Sequence, residues 1–347
     1  WFLQFHSFDK PFLHPLLLSL SGVIFGTSFL GYRIVGWILF SGSFFIIAKV
    51  LNAIFFNYDD SKEFQKVFLN RFIKLIAKFL ILIFIFLHPV MIKNAATSMG
   101  EPFLMFFMSL TLLSLTVTDP DRQRSYFLNA FTLAFWIKGS ILVWSPFLLL
   151  FKWNKSSIQK LWQTRYWLWP AIIVSSIGLW YGLVGKTKLF VFRYLLDVLF
   201  GTEGSDKIKL PFLQQLSNWS HLFVTIFGYG ISILALIAIA SIIYEVSERL
   251  KGKTLTLNLW RTEPFKFKLL IVCSLTIGLF FTIIALTSVG IADRYILTIT
   301  PVIGILISLI VKSALPLKSG NYINYGKLIL IFSCLLSIPL TASQWRP

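Results

Sequence analysis

A few ionisable residues in this chain stand against long apolar runs, where a charge is disfavoured unless something stabilises it. They are His6, Asp9, Lys10 and His14; Lys93 and Glu101; Lys138; and Asp293 and Arg294. Lys10, between Asp9 and Pro11, is a compact cation suited to a phosphate at headgroup depth, with Asp9 either holding the ammonium or taking a proton. A snorkelling lysine beside a helix-start aspartate explains the same two residues structurally. His6 and His14 could join Asp9 around a divalent metal, but their spacing matches no metal-binding pattern, and we expect neither metal nor other cofactor. Glu101-Pro102 opens an apolar run. Proline suits a first helical turn and a carboxylate suits its positive end, so a structural and a catalytic role both stand for Glu101. Ala95 to Ser98, just upstream, are small enough for a substrate to approach this loop. Lys138-Gly139 breaks the apolar stretch Tyr126–Phe151, and a turn that faces a polar cavity with an anionic headgroup in it is the simplest way to accommodate that ammonium. Asp293 and Arg294 either neutralise each other or add a phosphate contact.

The soluble catalytic patterns are absent: there is no glycine-rich phosphate loop, no Gly-x-Ser-x-Gly and no His-Glu-x-x-His. Cys273 and Cys334 both lie inside apolar runs and read as small buried hydrophobes.

The elements that must carry these residues are apolar helices. Of the 347 residues, 56% are hydrophobic and only 13% charged, with mean hydropathy +0.78, against about 45–50% and 25% in soluble domains. The expected fold is therefore all-α, a multi-pass membrane bundle. Runs long enough to span are Tyr32–Phe56, Phe72–Met91, Pro102–Val117, Tyr166–Val184, Leu222–Tyr244, Leu269–Val289, Tyr295–Val311 and Leu328–Leu340. Tyr126–Phe151 reads as a helical hairpin turning at Lys138, and the Pro-broken Pro11–Gly26 as a helix along the interface. The organisation expected is an outward loop with that interfacial helix over 1–30, then a bundle of about nine or ten helices over 31–347, with an outward loop at 185–220 carrying a short amphipathic helix, Phe190–Phe200.

The formal charge of +18 would suggest nucleic acid in a soluble protein, but here it follows topology. With the N-terminal loop outward, the inward connections carry 18 basic residues against 8 outside, as the positive-inside rule requires. The hairpin fixes the sign of that count, because a single span there would invert everything downstream. No nucleic-acid partner is expected.

Several stretches resemble the GT-C integral-membrane glycosyltransferases, nearest the protein mannosyltransferase and lipid A aminoarabinose transferase branch. Phe8-Asp9-Lys10-Pro11 through Leu17, then Phe25-Gly26-Thr27-Ser28 and Tyr32-Arg33-Ile34, are similar to that family's Lys-Pro-Pro, Phe-Gly-x-Ser and Arg stretch. Ser98 to Leu104 resembles its acidic residue opening a span. Phe135 to Gly139 followed by Pro146 is similar to its Lys-Gly hairpin, and Arg294-Tyr295-Ile296-Leu297 with Pro301 resembles its Arg-Tyr segment. Order and approximate spacing agree from residue 8 to about 305.

The resemblance implies an inverting transferase that moves a sugar from a polyprenyl-phosphate carrier to a lipid, glycan or protein acceptor. It implies a multi-pass protein of the bacterial plasma membrane, with its site facing outward. Lys10, Lys138 and Arg294 would contact the lipid phosphate, and Glu101 would fill the second acidic position of the cavity. Asp9 is the other catalytic candidate by placement beside Lys10, although the family's principal Asp lies well upstream of the Lys-Pro motif. Since the chain opens on Trp1, a preceding helix and catalytic loop are expected upstream. Two departures stand out: Phe12 replaces the second proline, and Glu101 stands where many members have Asp. The alternative reading is a transporter or lipid flippase, with Lys138 and Glu101 lining its path.

Overall fold

The computed structural model describes residues 13–28, 30–56, 64–87, 100–163, 168–184, 265–286 and 297–314, with a few isolated positions besides. All regular structure among the described residues is helical. The order is α1 Leu13–Phe25, α2 Gly31–Phe56, α3 Phe64–Phe86, α4 Glu101–Ser114, α5 Pro120–Ile137, a 3-10 helix η1 Gly139–Leu150, α6 Lys155–Gln163, α7 Trp169–Val184, α8 Phe265–Leu286 and α9 Thr300–Ala314. The expected runs Leu222–Tyr244 and Leu328–Leu340, and the amphipathic Phe190–Phe200, lie outside the described residues.

The Phe-Gly-x-Ser stretch is the turn between α1 and α2. Gly26 has φ +89°, a left-handed conformation that glycine adopts without strain. Ser28 Oγ then accepts the Gly31 N–H at 3.1 Å, and Ser21 Oγ of α1 donates to the Gly31 carbonyl at 2.5 Å. α1 is thereby tied back along the start of α2, and it also touches α5.

α4 packs most extensively, against α2 on one side and α5 on the other, while η1 packs on α8 and α9 on α3 and α8. Their shared core is aromatic and aliphatic, with Trp144, Phe55, Phe84, Phe103, Phe127 and Phe147 fully buried. Large apolar side chains also cover the outside: Phe45 on α2, Phe79 on α3 and Trp180 on α7 are well exposed. Helices apolar on both sides fit a surface covered by something other than water. Among the described residues, Gly31–Phe55 is the one helix both long and apolar enough to cross a membrane by itself; Leu13–Phe25, Glu101–Ser114 and Thr300–Val311 are apolar but shorter.

The expected hairpin over Tyr126–Phe151 is present, with its first arm starting earlier, at Pro120. α5 rises about 27 Å over 18 residues and η1 returns about 24 Å over 12. The near match brings Phe151 back to Phe127, ring centroids 4.9 Å apart. It also lets Arg124 donate to the Lys152 carbonyl at 3.1 Å.

Two expectations change. α3 begins at Phe64, eight residues before the expected start at Phe72, so Lys66 and Arg71 are helical rather than in a loop. Lysine and arginine stems can continue an apolar helix face while their charges reach its polar end. The stretch after η1, expected as a plain polar connection, contains α6, which Asn154 caps by accepting the Ser157 N–H at 2.7 Å.

Candidate functional site

α4 descends from Glu101, turns through Leu115–Asp119, and α5 climbs back to Lys138. The turn is fixed by Asp119, whose carboxylate accepts the N–H groups of Asp121 and Arg122 at 2.9 and 3.3 Å, with Pro120 at the first helical position. Two antiparallel neighbours of this kind return the chain to its starting level. Glu101 and Lys138, 37 residues apart in sequence, meet there: Lys138 Nζ donates to Glu101 Oε1 at 2.5 Å.

Local structure explains how each reaches that point. Glu101 stands in the first turn of α4, where the unpaired N–H groups favour a carboxylate. Lys138 is extended, with φ −160° and ψ 122°; its N–H closes α5 on the Ala134 carbonyl at 2.9 Å, and its carbonyl accepts from Ile141 at 3.3 Å to open η1. The side chain therefore leaves the hairpin at its tip rather than along a helix face. Glu101 is 5% exposed and Lys138 16%, so the ammonium is the more accessible partner. It carries three donors, of which Glu101 takes one.

Parts of the other expected motifs gather around this pair. His14, four residues after Lys10, is buried against Phe103 with ring centroids 5.5 Å apart. A side-chain carbon added at Gly100 would lie 3.7 Å from both the His14 ring and Ile137, so α1, the start of α4 and the end of α5 converge there. On the far side of the tip, Ser140 Oγ lies 3.3 Å from Thr298 Oγ1, and the Trp144 indole donates to the Thr298 carbonyl at 2.9 Å. Thr298 directly follows Leu297, so the described end of the Arg-Tyr segment adjoins the hairpin tip.

Asp9, Lys10 and Arg294 themselves lie outside the described residues, as do His6, Lys93 and Asp293. Among the described residues no three His, Cys, Asp or Glu side chains come together as a metal site, so His14 has no metal-ligating set there. Cys273 is a free, buried thiol on α8, and Cys334 is outside the described residues. Ser140 and Thr298 were not anticipated at this site. Their signal is a hydroxyl within an otherwise apolar run, which helices also use for internal hydrogen bonds, as Thr276 and Ser308 do here.

No known protein-family profile matches the sequence, and no curated protein sequence matches it significantly. The architecture does have a solved counterpart. The crystal structure of ArnT from Cupriavidus metallidurans, in the apo state, superposes with a TM-score of 0.51 at 12% sequence identity. The two share a fold. The likeness covers 93% of this chain and 52% of ArnT, so the chain spans about half the length of that protein.

Proposed function

We propose that this chain is the membrane-embedded part of a GT-C glycosyltransferase that moves a sugar from a polyprenyl-phosphate carrier to an acceptor at the outer face of the membrane. The observation that carries the reading is convergence. Separate stretches picked out by chemistry bring His14, Glu101, Lys138 and Thr298 to one end of the helical bundle, around a buried ion pair. The ArnT-like fold supports the same class.

The chemistry asked of the site is displacement at the anomeric carbon. The acceptor hydroxyl attacks, the bond to the lipid phosphate breaks, and the phosphate leaves with the electron pair. Lys138, the more exposed member of the pair, neutralises the leaving phosphate, helped by Lys10 and Arg294. Glu101 takes the acceptor's proton as the new glycosidic bond forms. Asp9 holds Lys10. No cofactor is required for this displacement. The apolar outer surfaces of α2, α3 and α7 suit lipid, and the bias of basic residues toward the other end of the helices supports an outward-facing site. A transporter or flippase is the less favoured reading, because the ArnT-like fold and the ordered motifs both support transfer chemistry.

The test is transfer from a panel of labelled polyprenyl-phosphate sugars in membranes containing the gene product that includes this chain. Wild type should transfer, and Glu101→Gln and Lys138→Met should not. Wild-type rates in either variant would overturn the residue roles, and inactivity of wild type across a broad donor panel would overturn the activity itself.

A further inference from the structure

Helix α6 differs from every other described helix in that none of its residues is buried. Its nine residues make about two and a half turns with two distinct faces. Ile158, Leu161 and Trp162 fall on one side at spacings of three and four, and Ser156, Gln159, Lys160 and Gln163 on the other. Packing against α5 covers little of the apolar side: Ile158 remains 57% exposed and Trp162 70%. A nine-residue helix with such a face has little reason to persist in water.

Its position is fixed by the base of the hairpin. Arg124, near the start of α5, holds the Lys152 carbonyl at 3.1 Å. The next residue, Trp153, has its indole N–H bonded to the Leu148 carbonyl at 2.8 Å while its ring stays partly exposed. The helix thus emerges where the α5–η1 hairpin ends, the opposite end from Glu101 and Lys138. The segment from Lys152 to Gln163 contains three lysines, Lys152, Lys155 and Lys160, all exposed, and no acidic residue. Lys160 lies 3.9 Å from the Asp121 carboxylate of α5, and the segment itself is net positive.

We propose that α6 lies along the cytoplasmic surface of the bilayer and gathers anionic phospholipid headgroups. Trp153, Ile158 and Trp162 sit at the depth of the acyl boundary while Lys152, Lys155 and Lys160 face the phosphates. An aromatic and aliphatic face flanked by lysines with no acid among them complements a negatively charged leaflet. A polar protein surface would leave Ile158 and Trp162 poorly covered. The assignment rests on the membrane reading of the chain, and the experiment separates the two.

A fluorophore would be attached at Ile158→Cys, or at Phe45→Cys on the outer face of α2, in protein lacking Cys273 and Cys334. The labelled protein would be reconstituted into phosphatidylcholine vesicles containing phosphatidylglycerol. The quencher is a doxyl group near the headgroup, carried in turn by each of the two lipids at equal mole fraction. The Ile158 label should be quenched roughly twofold more strongly by the anionic carrier, and the Phe45 label equally by both. Replacing Lys152, Lys155 and Lys160 with glutamine should abolish the preference and keep the quenching. No quenching at Ile158 with quenching at Phe45 would overturn the surface position of α6. Equal quenching by the two lipids at Ile158 would overturn its charge selectivity. Absence of quenching at both positions would overturn the membrane reading along with it.

Discussion

The hairpin of α5 and η1 holds a cation at each end, buried at the base and partly buried at the tip, by different means. At the base, Arg124 bonds the carboxylate of Asp121, three residues earlier on its own helix, and the carbonyls of Pro120 and Lys152. Each of those bonds starts α5 or closes the hairpin, so the folding of this element accounts for the arginine. At the tip, the turn is already closed by backbone, from the Lys138 N–H to Ala134 and from Ile141 to the Lys138 carbonyl. The Lys138 ammonium instead reaches Glu101, which comes from another helix. An ion pair whose cation is not explained by a helix start is a stronger candidate for chemistry than one that completes it.

The contrast is broken most severely by activity. Glu101→Gln and Lys138→Met should each reduce sugar transfer by about 10²–10⁴-fold, whereas Arg124→Met should leave transfer per folded molecule unchanged in the same assay. Equal losses at both ends would erase the distinction.

Stability sharpens it next. Lys138→Met leaves Glu101 buried without this cation and should cost about 3–5 kcal/mol, measured by thermal unfolding in nanodiscs. Pairing it with Glu101→Leu should restore most of that stability and none of the transfer. Arg124→Met removes charge-assisted bonds to backbone and should cost less, about 1.5–3 kcal/mol. The smallest effect belongs to Asp119 at the base. The N–H groups of Asp121 and Arg122 hold its carboxyl below the usual carboxylate range. Because the folded pKa is depressed, the cap's contribution is complete above the unfolded value and is lost as pH falls through the folded one. Asp119→Ala should lower Tm slightly at neutral pH, and the difference from wild type should vanish on acidification below the ordinary aspartate range.

The sequence showed the hairpin clearly because an ammonium and a glycine in the middle of an apolar run leave few other solutions. It also placed Glu101 and Lys138 on the same side. It did not show that they touch, since that depends on how α4 and α5 pack against each other and on Asp119 setting the turn between them. Ser140 and Thr298, 158 residues apart, have no pairwise signal in one sequence. α6 escaped because a short segment with six polar or basic residues out of nine looks like a loop. Its readable mark was Asn154 at the cap, with Trp153 before it and Ile158 at the fourth helical position, the arrangement of a hydrophobic staple. The start of α3 was missed because composition marks where the apolar run begins, not where helical hydrogen bonding does.

The descending arm of the hairpin is wound with three residues per turn rather than 3.6. Rewinding its 12 residues as α-helix would shorten it by about 6 Å, more than a full α-helical pitch. The arm is anchored below by Phe151 against Phe127 and above by Trp144 on Thr298. Its winding is therefore a ruler: the number of residues per turn in η1, rather than any side chain at the tip, sets the depth at which the Lys138 ammonium stands.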